Sequence, residues 1–236
     1  MGMVHGPNMV TDGLQLYIDA GNVKSYSGSG TVWSDLSGNG HDVTLVNSPT
    51  FSSNNGGYFD FNGSSHQAKT TNNINLMSND WTIDCWVYLD DWEYPSSACG
   101  DNRATIWGCF NGYWNGASLE IVETSLRFTE FHATSSYNIR AISGGSLSTW
   151  MHVTVSWDDD GLMKGYVNGV EGSSGGLDVS SYSISPNAYL WLNYYAVHCG
   201  LSYVNGRVSG YRVYTKCLTA AEVLQNYNAH KSRYGL

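Results

Sequence analysis

Two glutamates, Glu120 and Glu123, lie three residues apart where the sequence predicts a β-strand. A pair of carboxylates can hydrolyse a glycosidic bond when both flank the same bond, one as acid and the other as nucleophile or base. Side chains of a strand alternate between its two faces, so carboxylates that share a face lie an even number of residues apart. We therefore expect Glu120 and Glu123 to be exposed strand charges on opposite faces rather than a catalytic pair.

Other catalytic and metal-binding motifs are also missing from the sequence. It contains neither the Gly-x-Ser-x-Gly turn of a serine hydrolase nor the His-Glu-x-x-His pair of a zinc protease. The seven histidines are scattered without ligand spacing, and His152 is expected to be an exposed or hydrogen-bonded residue on the outward face of a strand. The run Asp158-Asp159-Asp160-Gly161 is interpreted as a charged turn, with a Ca²⁺ loop as the alternative. The sequence thus predicts a protein that is not an enzyme.

Binding through aromatic rings is the second kind of chemistry that the sequence offers. Several aromatic residues and one histidine lie in segments rich in Ser, Asn and Gly. These predicted ligand-contact residues are Trp92, Tyr94, Tyr113, Trp114, Tyr194, Tyr195 and His198. Three interpretations of the aromatic members stay open: packing in the core or loops, contact with another protein, and stacking on the C–H face of a sugar. The tryptophans at 33, 81, 150 and 157 instead follow core-facing patterns.

The elements that would position these residues are β-strands joined by tight turns. Seven Asn-Gly pairs, which begin at residues 39, 55, 62, 111, 115, 168 and 205, separate short stretches rich in aromatic and β-branched residues. Both residue types tolerate the positive φ of a two-residue hairpin turn. In the clearest strand, 81–89, the odd positions are apolar, and the even positions form a polar but aromatic face that is exposed or lines a groove. The sequence therefore predicts an all-β, two-sheet antiparallel sandwich.

One short helix is predicted at the end of the chain. Thr219 and Glu222 form a capping box, in which each side chain bonds to the other's backbone amide. Leu218 and Val223 are placed for a hydrophobic staple, and the helix is expected to end near His230. Residues 90–117 are expected to be irregular, and no linker divides the chain. We predict an N-terminal arm at 1–12 and one β-sandwich domain at 13–236.

Composition restricts the partners and the redox state. With 11 Lys and Arg against 20 Asp and Glu, the net charge of −9 argues against nucleic acid. No apolar run is long enough to span a membrane, and the N-terminus does not resemble a secretory signal. The five cysteines are therefore expected to be free thiols, with a Cys99–Cys109 bridge as the alternative.

Four stretches in a fixed order carry a resemblance to a known family. They are 13–22 with 33–40, 59–63 with 81–83, 150–158 with 166–169, and 206–214 with 218–227. In this order they resemble a laminin-G-like domain of the concanavalin A-like jelly-roll superfamily, which implies two stacked antiparallel sheets. Many members hold a structural Ca²⁺, but the usual acidic positions here carry residues such as Ser64, Ser65 and Ser209. No cofactor is therefore expected.

The resemblance also implies a function. The opening Gly6-Pro7-Asn8 before a Gly-Leu-x-Leu-Tyr strand is similar to domains among tailed-bacteriophage structural proteins. It implies a non-enzymatic virion protein, a capsid decoration or a tail or fibre component, located on the phage particle. The expected partners are other virion proteins, including copies of itself, and host surface glycans. The alternative is a secreted or cell-surface carbohydrate-binding module or a glycan-active enzyme.

Overall fold

The computed structural model describes residues 8–75, 80–92, 103–110, 116–132, 136–158, 162–173, 187–195 and 202–236. Their regular structure is almost entirely antiparallel β-sheet, as predicted. In chain order the strands are β1 (Leu14–Asp19), β2 (Val32–Trp33), β3 (Val43–Val46), β4 (Thr50–Ser52), β5 (Tyr58–Asn62), β6 (Gln67–Thr70), β7 (Ile74–Asn75), β8 (Trp81–Leu89), β9 (Arg103–Phe110), β10 (Gly116–Val122), β11 (Ser125–His132), β12 (Ser136–Ile142), β13 (Trp150–Asp158), β14 (Leu162–Val167), β15 (Val170–Ser173), β16 (Asn187–Leu192), β17 (Tyr194–Tyr195), β18 (Ser202–Tyr203) and β19 (Asn205–Tyr214).

The strands form two large sheets and one small ribbon. The first sheet has the order β15-β14-β13-β8-β19-β5-β4, with β1 also paired to β19. The second sheet has the order β12-β11-β10-β9-β16-β6-β3-β2, with β7 also paired to β16. β17 and β18 form the ribbon. Several neighbouring strands are distant in the sequence, among them β8 and β19 or β9 and β16, and such long connections are typical of a jelly-roll sandwich.

The hydrophobic core lies between the inner faces of the two large sheets. At its centre the rings of Trp81 and Trp157 are stacked with centroids 5.9 Å apart. Trp107 of the second sheet meets the edge of Trp81 at 5.9 Å. The predicted core positions of Trp33, Trp81 and Trp157 are confirmed. Trp150 is buried too, but it contacts Tyr58, Tyr88 and Tyr234 instead of joining this core.

The C-terminal helix α1 (Ala220–His230) confirms the predicted capping box. The Glu222 amide donates to the Thr219 hydroxyl, and the Thr219 amide donates to the Glu222 carboxylate. A 3₁₀ turn follows at Lys231–Tyr234. The helix and turn pack on the outer face of the first sheet, where Leu218 and Val223 are buried. In the described part of the chain, no helix is long and apolar enough to cross a membrane.

Two of the Asn-Gly pairs predicted as hairpin turns differ in outcome. Asn168 and Gly169, at φ of 53° and 77°, connect β14 to β15 as a two-residue hairpin, as predicted. The pair at Asn205 is not a turn, because it begins β19. A side chain at Gly206 would place its Cβ 2.3 Å from the Tyr88 carbonyl oxygen, so this glycine permits close strand pairing.

The expectation that residues 90–117 are irregular is wrong, because β9 lies within them. The register between β9 and β10 shifts between Leu119 and Glu120, so β9 contains an extra residue there. Ile106 and Trp107 are consequently both buried in the core although they are adjacent. A strand with this bulge lacks the strict alternation by which a strand is predicted from sequence.

Candidate functional site

The predicted ligand-contact residues fall mostly outside the described structure. Tyr94, Tyr113, Trp114 and His198 lie outside the described residues. For Tyr194 and Tyr195 the backbone is described as β17, paired with Tyr203 and Ser202, but the side chains are not. Trp92 is described: its side chain is half-buried, packs against the core and lines a surface cleft. The ligand-contact role of these seven residues therefore stays a prediction.

The structure places another set of aromatic side chains together on the outer face of the second sheet. Tyr189 and Trp191 alternate with core residues along β16, and Trp191 pairs with Lys69 of β6 and Gly108 of β9. Tyr189 pairs with Phe110, which brings a third ring to the same face. We call Lys69, Phe110, Tyr189 and Trp191 the aromatic platform. Tyr189 is the most accessible of these side chains, with 39% of its surface exposed.

A cation and two glycines shape this platform. The Lys69 Nζ atom lies 3.8 Å from the centre of the Tyr189 ring and 4.4 Å from that of Trp191, the geometry of a cation–π contact. A Cβ added at Gly108 or Gly116 would lie 2.5 Å or 2.6 Å from atoms of the Phe110 ring. The ring thus packs directly on the strand backbone, and both positions need a glycine. The result is an apolar surface with one ammonium group between two of its rings.

Next to the platform, the same face of the sheet contains a buried carboxylate. Glu120 accepts hydrogen bonds from the Ser118 hydroxyl at 2.9 Å and the Thr129 hydroxyl at 3.0 Å. The Arg103 guanidinium lies 3.3 Å from the same carboxylate. The side chain of Glu120 has no exposed surface, so the expectation of an exposed strand charge is wrong for Glu120. The neighbours explain the difference, because the Thr129 hydroxyl and the Arg103 guanidinium of the adjacent strands, together with Ser118 of the same strand, satisfy the buried charge.

The neighbours of Glu120 on its strand show whether a second carboxylate lies beside it, as glycoside hydrolysis would require. Ser118 and Val122 occupy the two nearest positions on its face of β10. Glu123 follows the strand in the turn to β11 with 72% of its side chain exposed. Glu120 is therefore an acceptor in a hydrogen-bond cluster, and its own strand provides no second carboxylate on that face.

The outer face of the first sheet carries several ionisable side chains, but the C-terminal helix and turn cover them. Arg212 donates through Nε to Asp84 at 2.7 Å, and the Asn226 amide of the helix donates to the other carboxylate oxygen at 3.0 Å. The Nη groups of Arg212 reach Nε2 of His152 at 3.0 Å and Nδ1 of His230 at 3.2 Å. We call Asp84, His152, Arg212, Asn226 and His230 the buried polar network. It holds the helix on the sheet.

Charge and burial set the protonation of this network. Arg212 and His152 lower the pKa of Asp84 to about 2 against the opposing effect of burial. Burial, followed by the charges of Arg212 and Arg233, lowers the pKa of His230 to about 4. Burial also lowers the pKa of His152. Since a guanidinium can only donate, the ring nitrogens that face Arg212 accept, and both imidazoles are neutral at pH 7.

This covered face leaves little room for a ligand beneath the helix tail. The even positions of β8, predicted to be exposed or to line a groove, are buried at Thr82, Asp84 and Trp86. The cavity left beneath the helix tail has a volume of about 10 Å³, which is room for about one water molecule. For His152 the hydrogen-bonded alternative is confirmed and the exposed one is wrong.

Some of the residues that the sequence analysis considered for Ca²⁺ binding or for a disulfide lie in the described structure. The Ser209 hydroxyl donates to the Gly57 carbonyl at 2.6 Å and lies 2.8 Å from the Tyr234 hydroxyl. Within the described ranges, no group of three or more histidine, cysteine or acidic side chains is placed to hold a metal ion. Cys109 is a free thiol in the core, and Cys99 lies outside the described residues.

The platform residues were missed by the sequence prediction, although a signal existed for two of them. In Ala-Tyr-Leu-Trp-Leu at 188–192 the aromatic residues alternate with aliphatic ones, the pattern of a strand. Aromatic rings at two successive outward positions are typical of a binding surface. Lys69 and Phe110 could not be found in this way, because β6 was not predicted and β9 was expected to be irregular.

Comparison with protein families identifies the fold. Residues 61–224 match a laminin-G-like family model described as the concanavalin A-like lectin/glucanases superfamily. This match covers well over half of the chain. The chain belongs to the concanavalin A-like lectin/glucanase superfamily. A comparison with curated protein sequences gives no match.

Solved structures with the same fold include binding domains of botulinum neurotoxins. The binding domain of botulinum neurotoxin DC in complex with SialylT has a TM-score of 0.74, 16% identity, and covers 93% of this chain and 52% of its own. The serotype G binding domain has a TM-score of 0.69 and 15% identity, with 91% and 50% covered. A structure of type C, whose cell entry depends on two ganglioside molecules, has a TM-score of 0.72 and 16% identity, with 93% and 52% covered. The chain spans about half the length of these proteins, and at this identity the likeness shows the fold alone.

Proposed function

We propose that this chain is a non-enzymatic attachment domain that binds glycan through the aromatic platform. The observation that supports it is the cluster of Tyr189, Trp191 and Phe110 around Lys69 on the outer face of the second sheet, with Tyr189 39% exposed. Aromatic rings offer apolar area at low conformational-entropy cost, which is why they supply much of the binding energy at interfaces. The C–H face of a sugar ring can stack on them while its hydroxyls accept hydrogen bonds from the Lys69 ammonium.

In this proposal the domain binds without covalent chemistry. The Glu120 carboxylate is held by Ser118, Thr129 and Arg103, and these donors fix it as an acceptor. A glycosidase acid must carry a proton and face a second carboxylate across the bond. The positions beside Glu120 on its strand face carry Ser118 and Val122 instead. The platform therefore retains a sugar and has no partner acid on that strand to cleave it.

The proposed setting is the surface of a phage virion, in the capsid or tail. The motif resemblance supports this setting, and the superfamily supports sugar binding. The partners are then host surface glycans and neighbouring virion proteins, including other copies of the chain. Mass spectrometry of purified particles should detect the chain, and repeated absence from particles would remove the virion part of the proposal without affecting glycan binding.

The binding part is tested on a glycan array that includes bacterial surface polysaccharides and gangliosides. We expect the wild type to bind at least one of them, and Trp191→Ala and Tyr189→Ala to weaken that binding at least tenfold, about 1.4 kcal/mol or more. Val23→Ala is the matched control, because Val23 is 78% exposed in a loop before β2. No bound glycan, or equal binding by wild type and both platform variants, would contradict the proposal.

A further inference from the structure

A second concave feature lies at the edge of the sandwich, away from the platform. It is a cleft of about 320 Å³ formed by Trp92 after β8, the β10–β11 turn, the end of β12 with the loop that follows, and β15. Strand β10 begins at Gly116, beside Phe110, and ends at Val122 next to the cleft. Seven strand residues span about 20 Å, so the cleft and the platform are separate surfaces.

The cleft walls combine one aromatic ring with hydroxyl groups and lack charge. Its ten lining residues are Trp92, Thr124, Ser125, Leu126, Ala141, Ile142, Ser143, Gly144, Gly145 and Gly172. None of them carries an ionisable group. The Ser143 hydroxyl donates to the Gly172 carbonyl at 2.7 Å. The structure gives no hydrogen bond to the hydroxyls of Thr124 and Ser125 within the described ranges, so both can bond to a ligand.

Three glycines lie in the walls of this cleft. A Cβ at Gly145 would lie 3.3 Å from Cη2 of Trp92 and 3.1 Å from a methyl carbon of Leu126. A Cβ at Gly172 would lie 2.3 Å from the Ser143 carbonyl oxygen. Gly144 has φ of +96°, a conformation that other residues rarely adopt. The three glycines thus allow the walls of the cleft to pack closely against their neighbours, and the cleft walls are part of the packed structure.

We infer that this cleft is a second binding site, for one neutral pyranose unit. Ligand sites range from about 300 to 1,000 Å³, and a volume at the lower end suits a single sugar ring rather than an oligosaccharide. Trp92 provides the surface for the sugar C–H face, and the hydroxyls of Thr124 and Ser125 bond to its hydroxyl groups. Because the lining is uncharged, a uronic or sialic acid gains no ionic partner, and a neutral hexose or N-acetylhexosamine is favoured.

The inference is tested by saturation-transfer NMR with D-glucose, D-galactose, D-mannose and N-acetyl-D-glucosamine as separate probes. We expect at least one of them to bind the wild type with a millimolar dissociation constant. Thr124→Trp should weaken that binding at least tenfold, because Thr124 is exposed at the mouth and a larger side chain there fills the cleft without entering the core. Thr50→Trp, at an exposed position of β4 in the first sheet, is the matched control.

Two further variants separate this site from the platform. Trp92→Ala should also abolish monosaccharide binding, and thermal unfolding of each variant shows whether it is folded. Trp191→Ala removes a ring of the platform instead, so it reports whether the monosaccharide binds there. Failure of all four sugars to bind the wild type, or undiminished binding by Thr124→Trp, would overturn the inference. Loss of monosaccharide binding in Trp191→Ala alone would assign the sugar to the platform, which overturns the cleft site and supports the proposed function.

Discussion

The outer faces of the two sheets carry similar residue types but differ in how far their aromatic rings are exposed. On the first sheet, Trp86 stacks with Tyr234 at 4.1 Å and is only 4% exposed beneath the C-terminal helix and turn. On the second sheet, Tyr189 is 39% exposed and shares Lys69 with Trp191. The aromatic ring on the first sheet is thus packed beneath another element, whereas Tyr189 on the second sheet stays accessible to solvent.

The charges of the two faces differ in the same way. Arg212 is almost fully buried and each of its bonds to Asp84, His152 and His230 stays within the protein. Lys69 lies over two partly exposed rings instead. We therefore expect substitutions in the buried polar network to change stability and substitutions in the aromatic platform to change binding.

The largest effect is expected at Arg212. Arg212→Met leaves Asp84 buried at 1% exposure without its nearest cation, and removing one partner of a buried ion pair costs about 3–5 kcal/mol. Urea unfolding followed by tryptophan fluorescence measures this change. Glycan binding by the remaining folded protein should be unchanged.

A double variant makes this test sharper. Asp84→Leu combined with Arg212→Met removes both charges, so it should be more stable than Arg212→Met alone. If the double variant is the less stable of the two, the buried charge is not the reason for the loss. A change below 1 kcal/mol in Arg212→Met would remove the contrast between the two faces.

The pH dependence of stability is expected to be intermediate in size. The His230 pKa is about 4 in the folded protein and about 6.5 in the unfolded chain. Between these values the unfolded chain binds a proton that the folded protein does not, so stability falls as pH falls from about 6.5 to 4. Asp84, with a pKa of about 2, adds a further loss below the unfolded value of 3.8, since its protonation also favours unfolding.

The contribution of His230 is on the order of 2 kcal/mol, because the ring is only partly buried and solvent screens its neighbours. Urea midpoints of the wild type and His230→Gln at pH 7.5 and pH 4.5 measure it. We expect the difference in unfolding free energy between the two pH values to shrink in the variant. An equal pH dependence in both proteins would show that another group causes it.

The fold could be predicted from sequence wherever the residues of a strand or helix themselves mark where it begins and ends. Strand β8 alternates over nine residues, and the helix begins with a capping box, so both were predicted correctly. Strands β6 and β9 were missed, because β6 has four residues and β9 contains a bulge. Both strands pair with β16, which lies more than 75 residues further along the chain, as well as with a nearer strand, β3 or β10.

The candidate site was less predictable for a related reason. Whether an aromatic strand residue is covered depends on the distant element that packs on it. Trp86 and Trp191 each occupy the second face of an alternating strand, yet only Trp86 meets the helix tail, through Tyr227 and Tyr234. Trp92 was predicted as a ligand-contact residue from its loop, and it lines the cleft. The hydroxyls opposite it come from β10–β12, and the sequence alone does not bring them there.

The smallest effect is expected at Lys69. Its contacts with Tyr189 and Trp191 are partly exposed, and such cation–π contacts contribute about 0.5–1 kcal/mol. Lys69→Gln should therefore lower the free energy of unfolding by no more than about 1 kcal/mol, and Lys69→Arg should restore it, because a guanidinium also stacks on aromatic rings. Urea unfolding measures both variants. A loss above about 2 kcal/mol in Lys69→Gln would make Lys69 a structural residue like Arg212, and the open face would then be part of the scaffold rather than a binding surface.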